Sequence, residues 1–148
     1  MTARNGSDRR RLVPQEVGTV LKDRVEIRLQ SLGVCVIVRV AGELGVSTAP
    51  VLRDQLLGQL ALGQRRLVVD LHRIDFIDST GLSAVLAAHQ EAATGGGSVR
   101  LVGRRSVRRI VEACGLNRVL PVHDDVSEAL EATMEDAGRR GGSDTPAH

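Results

Sequence analysis

Asp75-Phe76-Ile77-Asp78-Ser79-Thr80-Gly81-Leu82 joins two apolar segments of different character and brings two carboxylates and two hydroxyls to the junction. Before it, Arg66-Leu67-Val68-Val69-Asp70-Leu71 is short, apolar and rich in β-branched residues, as a buried strand is. After it, Leu82, Val85, Leu86 and His89 recur at i, i+3, i+4 and i+7, one face of an amphipathic helix. The junction therefore predicts a strand-to-helix corner that displays a serine on a rigid frame. Asp78, Ser79 and Thr80 are each suited to cap the helix, because a side-chain oxygen at that place accepts from the free amides of the first turn. Capping uses one of those side chains and leaves the others, with Gly81 expected to keep the surface beside them bare.

The flanking segments predict the rest of the architecture. Val25 to Leu29 alternates with charged residues as a half-buried edge strand does, and Val34 to Val40 reads as a more central strand. Ser31 to Gly33 between them suits the turn of a hairpin. Gly42-Glu43-Leu44-Gly45 ends the second strand. Ser47 or Thr48 then caps a helix with Pro50 in its first turn and Val51, Leu52, Leu56, Leu57 and Leu60 inside. Gly95-Gly96-Gly97 stops the helix that follows Ser79, and it lacks the Lys-Ser/Thr of a phosphate-binding loop.

Ser98 to Val102 predicts a fourth strand, and Val107, Ile110, Val111 and Cys114 mark one face of a third helix. Val119 to Val122 reads as a weak fifth strand. Val126, Ala129, Leu130 and Thr133 lie on one side of a last helix, capped at Asp124 or Asp125. Strands alternating with helices after a hairpin give an α/β class, with a mixed sheet of four to five strands and about four helices. Residues 1–23 and 137–148 are polar or glycine-rich and are expected to be disordered tails around one domain at 24–136.

Composition narrows the chemistry. A chain of 148 residues can bury roughly 70% of its unfolded surface without staples. Phe76 is the sole aromatic residue, so stacking on bases or sugars is largely unavailable. The net charge is +2 and exerts little pull toward nucleic acid or membrane. Arg104-Arg105-Ser106-Val107-Arg108-Arg109 reads as a solvated helix face. Cys35 and Cys114 are expected to be small core residues. No apolar region follows Arg9-Arg10-Arg11, and no run approaches the roughly 20 apolar residues of a membrane span, so a reduced cytoplasmic protein is expected.

An enzyme needs converging groups. His72, His89, His123 and His148 include no i, i+4 pair and stand beside no Cys-x-x-Cys, so no metal site is expected. A hydrolase through Ser79 would lack the Gly-x-Ser-x-Gly elbow, and His72 and His123 read as loop or strand-end residues. The expectation is a non-enzyme without cofactors.

The order of hairpin, Gly42-Glu43-Leu44, helix, Leu67 to Leu71, Phe76-Ile77-Asp78-Ser79-Thr80-Gly81-Leu82, Val99 to Gly103 and Gly115-Leu116 strongly resembles the STAS domain of anti-sigma factor antagonists, the SpoIIAA/RsbV-like family. The resemblance implies a phosphoprotein of transcription regulation that works by partner switching. Its unphosphorylated form would bind an anti-sigma factor with serine-kinase activity and release the sigma factor. Phosphorylation at Ser79 would switch it off, and a PP2C-type phosphatase would reset it. Glu43, Asp78, Ser79, Thr80 and Gly81 would form the partner-binding face. Many relatives have an aspartate where this chain has Gly45, which removes one acidic group from that face and leaves a second reading open, a STAS scaffold that binds a protein partner or small ligand without phosphoryl transfer.

Overall fold

Alternation sets the sheet. A computed structural model describes residues 13–144, with side chains described through 138. In β2 (Val25–Leu32), Val25, Ile27 and Leu29 are buried while Glu26 and Arg28 are exposed. Strand β3 (Cys35–Leu44) is buried on both sides for most of its length, as a central strand must be. The two pair antiparallel from Val25↔Gly42 to Leu32↔Cys35, which is the hairpin read from the sequence.

Beyond β3 the connections are helical. Helix α1 (Ala49–Ala61) leads to β4 (Arg66–Ile77), α2 (Ser79–Thr94) to β5 (Ser98–Val102), and α3 (Arg105–Ala113) to the two-residue β6 (Val122–His123), before α4 (Val126–Asp144). Strands β3 to β6 are parallel. One mixed sheet results, in the order β1-β2-β3-β4-β5-β6.

The core lies between the sheet and α1, α2 and α3. Leu52, Leu56, Leu82, Val85, Val107 and Val111 pack there against Ile27, Val38, Val69 and Leu101. Helix α4 covers the other face over β4 and β5, where Ala129, Val126 and Leu130 meet Val68 and Val102. Asp125 caps it by accepting from the Glu128 amide at 2.8 Å, and Glu128 Oε1 accepts in return from the Asp124 amide at 3.3 Å.

Several expectations are corrected. The sheet has six strands, because residues 15–22, expected in a disordered tail, form β1 (Gln15–Lys22) antiparallel to β2. Residues 25–29 are consequently an interior strand. β1 escapes a hydrophobic reading because it is an edge strand: only Val20 packs on the core, while Val17 and Leu21 are exposed. At the other end α4 runs on to Asp144, through part of the expected tail. Residues 1–12 and 145–148 of the expected tails lie outside the described residues. The fifth expected strand is cut to Val122–His123, with Leu120 buried in the turn before it. Cys35 is buried, and burial pushes its thiol pKa up, but Cys114 is exposed at the C-cap of α3, where the apolar face has already left the core.

Candidate functional site

Strand β4 runs seven residues past its pairing with β5, so its end stands clear of that neighbour and pairs only with β3, Glu43 opposite Phe76 and Leu44 opposite Ile77. Asp78 follows in extended conformation and is the N-cap of α2. Its Oδ1 accepts from the Thr80 amide at 2.9 Å, from the Gly81 amide at 3.4 Å, and from the Thr80 hydroxyl in a short hydrogen bond. The Thr80 hydroxyl and these two amides hold the Asp78 carboxyl below the usual aspartate range, so it is ionised at neutral pH.

Of the three capping candidates the structure selects Asp78. Thr80 spends its hydroxyl on that same carboxylate. Ser79, at the first helical position, is exposed, and its side chain makes no hydrogen bond among the described residues. The corner thus carries one uncommitted hydroxyl.

Gly81 has a different task from the one expected. It is buried against the end of β3, where an added Cβ would lie 2.7 Å from Leu44 Cγ and 2.9 Å from Leu44 O. The missing side chain lets the first turn of α2 seat on Leu44; it does not bare a surface.

The loop after β3 forms the second wall. Thr48 begins α1 without capping it through its side chain. Instead its hydroxyl donates to Glu43 O at 2.6 Å and accepts from the Gly45 amide at 2.9 Å, which ties the loop shut. Gly45 lies against the corner: a Cβ there would sit 3.2 Å from both Asp78 Oδ2 and Phe76 Cε2. The Glu43 carboxylate pairs at 3.4 Å with Arg24, an exposed contact at the opposite strand turn. Glu43 therefore adjoins the corner through its backbone, while its charge is engaged elsewhere.

Sequence reasoning missed the apolar surroundings. Phe76, whose ring lies against Gly45, is 51% exposed, and Val46, the next residue after Gly45 in the chain, is 75% exposed. A groove of about 460 Å³ opens between α1 and α2, lined by Val46, Pro50, Leu57, Thr80 and Ser83 among others. The signal was available: Phe76 is the one aromatic residue and sits at an outward position of β4. Periodicity assigns such residues to a core by default.

Among the described residues no group of three His, Cys, Asp or Glu side chains could hold a metal ion, and no helix is long and apolar enough to cross a membrane.

Comparison with known proteins places the chain. The STAS domain family profile matches residues 26–129. The anti-sigma-F factor antagonist RsfA of Mycobacterium tuberculosis is 30% identical over 118 residues, 78% of this chain and 92% of that protein. An anti-sigma factor antagonist from Mycobacterium paratuberculosis superposes with a TM-score of 0.70 at 25% identity, over 77% of this chain and 97% of that one. SpoIIAA shares the fold at 21% identity, with TM-scores of 0.64 for its unphosphorylated form, over 74% of this chain and 96% of that one, and 0.58 for its phosphorylated form, over 72% and 97%. The chain belongs to the STAS domain family, a family of regulatory domains and not of enzymes.

Proposed function

We propose that this protein is an anti-sigma factor antagonist. Its unphosphorylated form binds an anti-sigma factor with serine-kinase activity through the α2 corner and frees the sigma factor, phosphorylation of Ser79 ends the contact, and a PP2C-type phosphatase restores it. The observation that carries this reading is the free, exposed hydroxyl of Ser79 between Asp78 and Thr80, where Asp78 Oδ1 and the Thr80 hydroxyl are committed to each other. The names of the similar proteins support the antagonist class.

A phosphoryl group adds about −1.5 to −2 charges at neutral pH. At the start of α2 it meets the positive end of the helix dipole, which favours it by roughly 0.3–1 kcal/mol. The antagonist can carry the group without refolding. A partner seated over Phe76, Val46 and the Asp78 carboxylate meets a new charge beside an existing one. Unit charges about 4 Å apart at intermediate dielectric repel by about 4 kcal/mol, and each 1.4 kcal/mol is about tenfold in affinity. Modification therefore dissociates the complex.

The test starts by isolating the ATPase-fold partner from the host and incubating it with this chain and ATP. Label is expected on Ser79 and absent from Ser79→Ala, and Ser79→Asp should lose partner binding. Label retained in Ser79→Ala or confined to Thr80 rejects the assignment. The Gly45 position favours the second reading, a scaffold that docks its partner without phosphoryl transfer. Tight partner binding unchanged in Ser79→Asp would establish that reading instead.

A further inference from the structure

Helix α4 leaves part of its sheet face uncovered. Over β2, β3 and the middle of β4 that face holds a concavity of about 360 Å³ lined by Glu26, Arg28, Arg39, Asp70, His72 and Arg73. None of Glu43, Asp78, Ser79, Thr80 or Gly81 contributes to it.

The backbone is adapted to this arrangement. The β3–β4 register slips between Arg39, opposite Asp70, and Ala41, opposite Arg73. Such a bulge turns a side chain that would otherwise point to the far face; here consecutive residues, His72 and Arg73, both line the concavity. Side chains satisfy the bulged residue: Asp70 Oδ1 accepts from the His72 amide at 3.0 Å, and Arg104 donates to the His72 carbonyl at 2.6 Å.

Asp70, Arg39 and His72 are held in place before any ligand arrives. Asp70 is only 8% exposed. Its Oδ2 accepts from Arg39 Nη1 at 2.6 Å, its Oδ1 lies 3.1 Å from His72 Nδ1, and Gln30 accepts from Arg39 Nε at 2.9 Å. With Nδ1 directed at Asp70, His72 Nε2 has no partner among the described residues, and Arg73 has none either. Arg28 carries one exposed pair with Glu16 at 3.2 Å, the kind of contact worth little and readily exchanged.

A cross-strand ion pair would need Arg39 and Asp70 alone. It accounts for neither the bulge nor the unpaired Arg73 beside an oriented imidazole. We propose that the concavity binds a small tetrahedral dianion, inorganic phosphate or a phosphomonoester, through Arg28, Arg39 and Arg73. Guanidinium groups match phosphate oxygens in geometry as well as charge. Among the lining residues three arginines stand with two carboxylates, Glu26 and Asp70, and Glu16 pairs with Arg28 from outside the lining. The volume falls within the roughly 300–1,000 Å³ of small-molecule sites, which leaves room for an organic group on the phosphate.

Calorimetric titration of the full chain with inorganic phosphate and with glycerol 3-phosphate, against sodium chloride at equal ionic strength, tests the site. Saturable binding of one equivalent is expected, weakened about tenfold by Arg73→Ala, as loss of one charge-assisted hydrogen bond implies. Ser79→Ala should leave it unchanged. Arg73 makes no contact that folding needs, so Arg73→Ala should keep the parent unfolding midpoint. Tighter binding of glycerol 3-phosphate assigns the site to a phosphomonoester, and equal binding assigns it to the free ion. No saturable binding of either, or an affinity untouched by Arg73→Ala, overturns the proposal.

Discussion

Asp78 caps α2 with one carboxylate oxygen, while the other, Oδ2, lies 3.2 Å from where a Gly45 side chain would begin. The cap needs an oxygen and not a charge, so the two roles separate by substitution. Asp78→Ala should cost about 0.5–2 kcal/mol in urea unfolding, whereas Asp78→Asn should cost a few tenths at most. Both variants should lose partner affinity if the charge at the corner is read by the partner. Gly81 is a packing position: Gly→Ala in an open helix would gain about 1 kcal/mol. Here the new methyl meets Leu44 at 2.7 Å, and overpacking costs about 1–3 kcal/mol. Gly81→Ala should therefore lower the urea midpoint, and an unchanged or raised midpoint would show that Leu44 yields freely. That a serine stands at the corner could be read from its chain neighbours, but the choice of Asp78 over Thr80 as the cap could not, since all three side chains have suitable oxygens.

At the scale of elements, β1 and the extension of β4 decide what the sheet exposes. β1 contributes Val20 to the core and occupies the hydrogen-bonding edge of β2. Removal of residues 1–22 should leave a folded domain whose β2 amides lose hydrogen-exchange protection, with self-association rising as the new edge becomes available. Protection of β2 equal to that of the full chain would show that β1 adds nothing to the sheet. This strand was illegible in the sequence for a physical reason. An edge strand takes its stabilisation from backbone pairing, which is blind to side-chain pattern, and exposes most of its residues on both faces. The β4 extension was not legible: the apolar run ends at Leu71, and the pairing of Phe76 and Ile77 with Glu43 and Leu44 depends on a bulge that no periodicity reports.

For the whole molecule, the balance of the corner is set by ionisation. The folded-state pKa of Asp78 lies below that of the unfolded chain, so the stabilisation is present above the ordinary aspartate range and is lost as the pH falls through the lower folded value. The urea midpoint should decline on acidification through that window, with a shallower decline in Asp78→Asn, which has no proton to take up there. Equal slopes for both proteins would show that other carboxylates carry the whole acid dependence. The two faces of the sheet divide the labour. One seals the core under α1, α2 and α3 and presents the Ser79 corner, and the other is shared between α4 and the arginine-lined concavity.

The sequence by itself determined the α/β class, the order of the hairpin and later elements, and the strand-to-helix corner with a serine at its tip. These depend on local pattern, since period-2 and period-3.6 apolar spacing and capping side chains act within a few residues of one another. Tertiary structure alone decided that Ser79 is the free hydroxyl, that Gly81 serves packing on Leu44, that Glu43 turns its charge to Arg24, and that Arg39, Asp70, His72 and Arg73 meet on one face. Those outcomes depend on contacts between strands far apart in the chain and on a slip in their register, and a register is a property of two segments together.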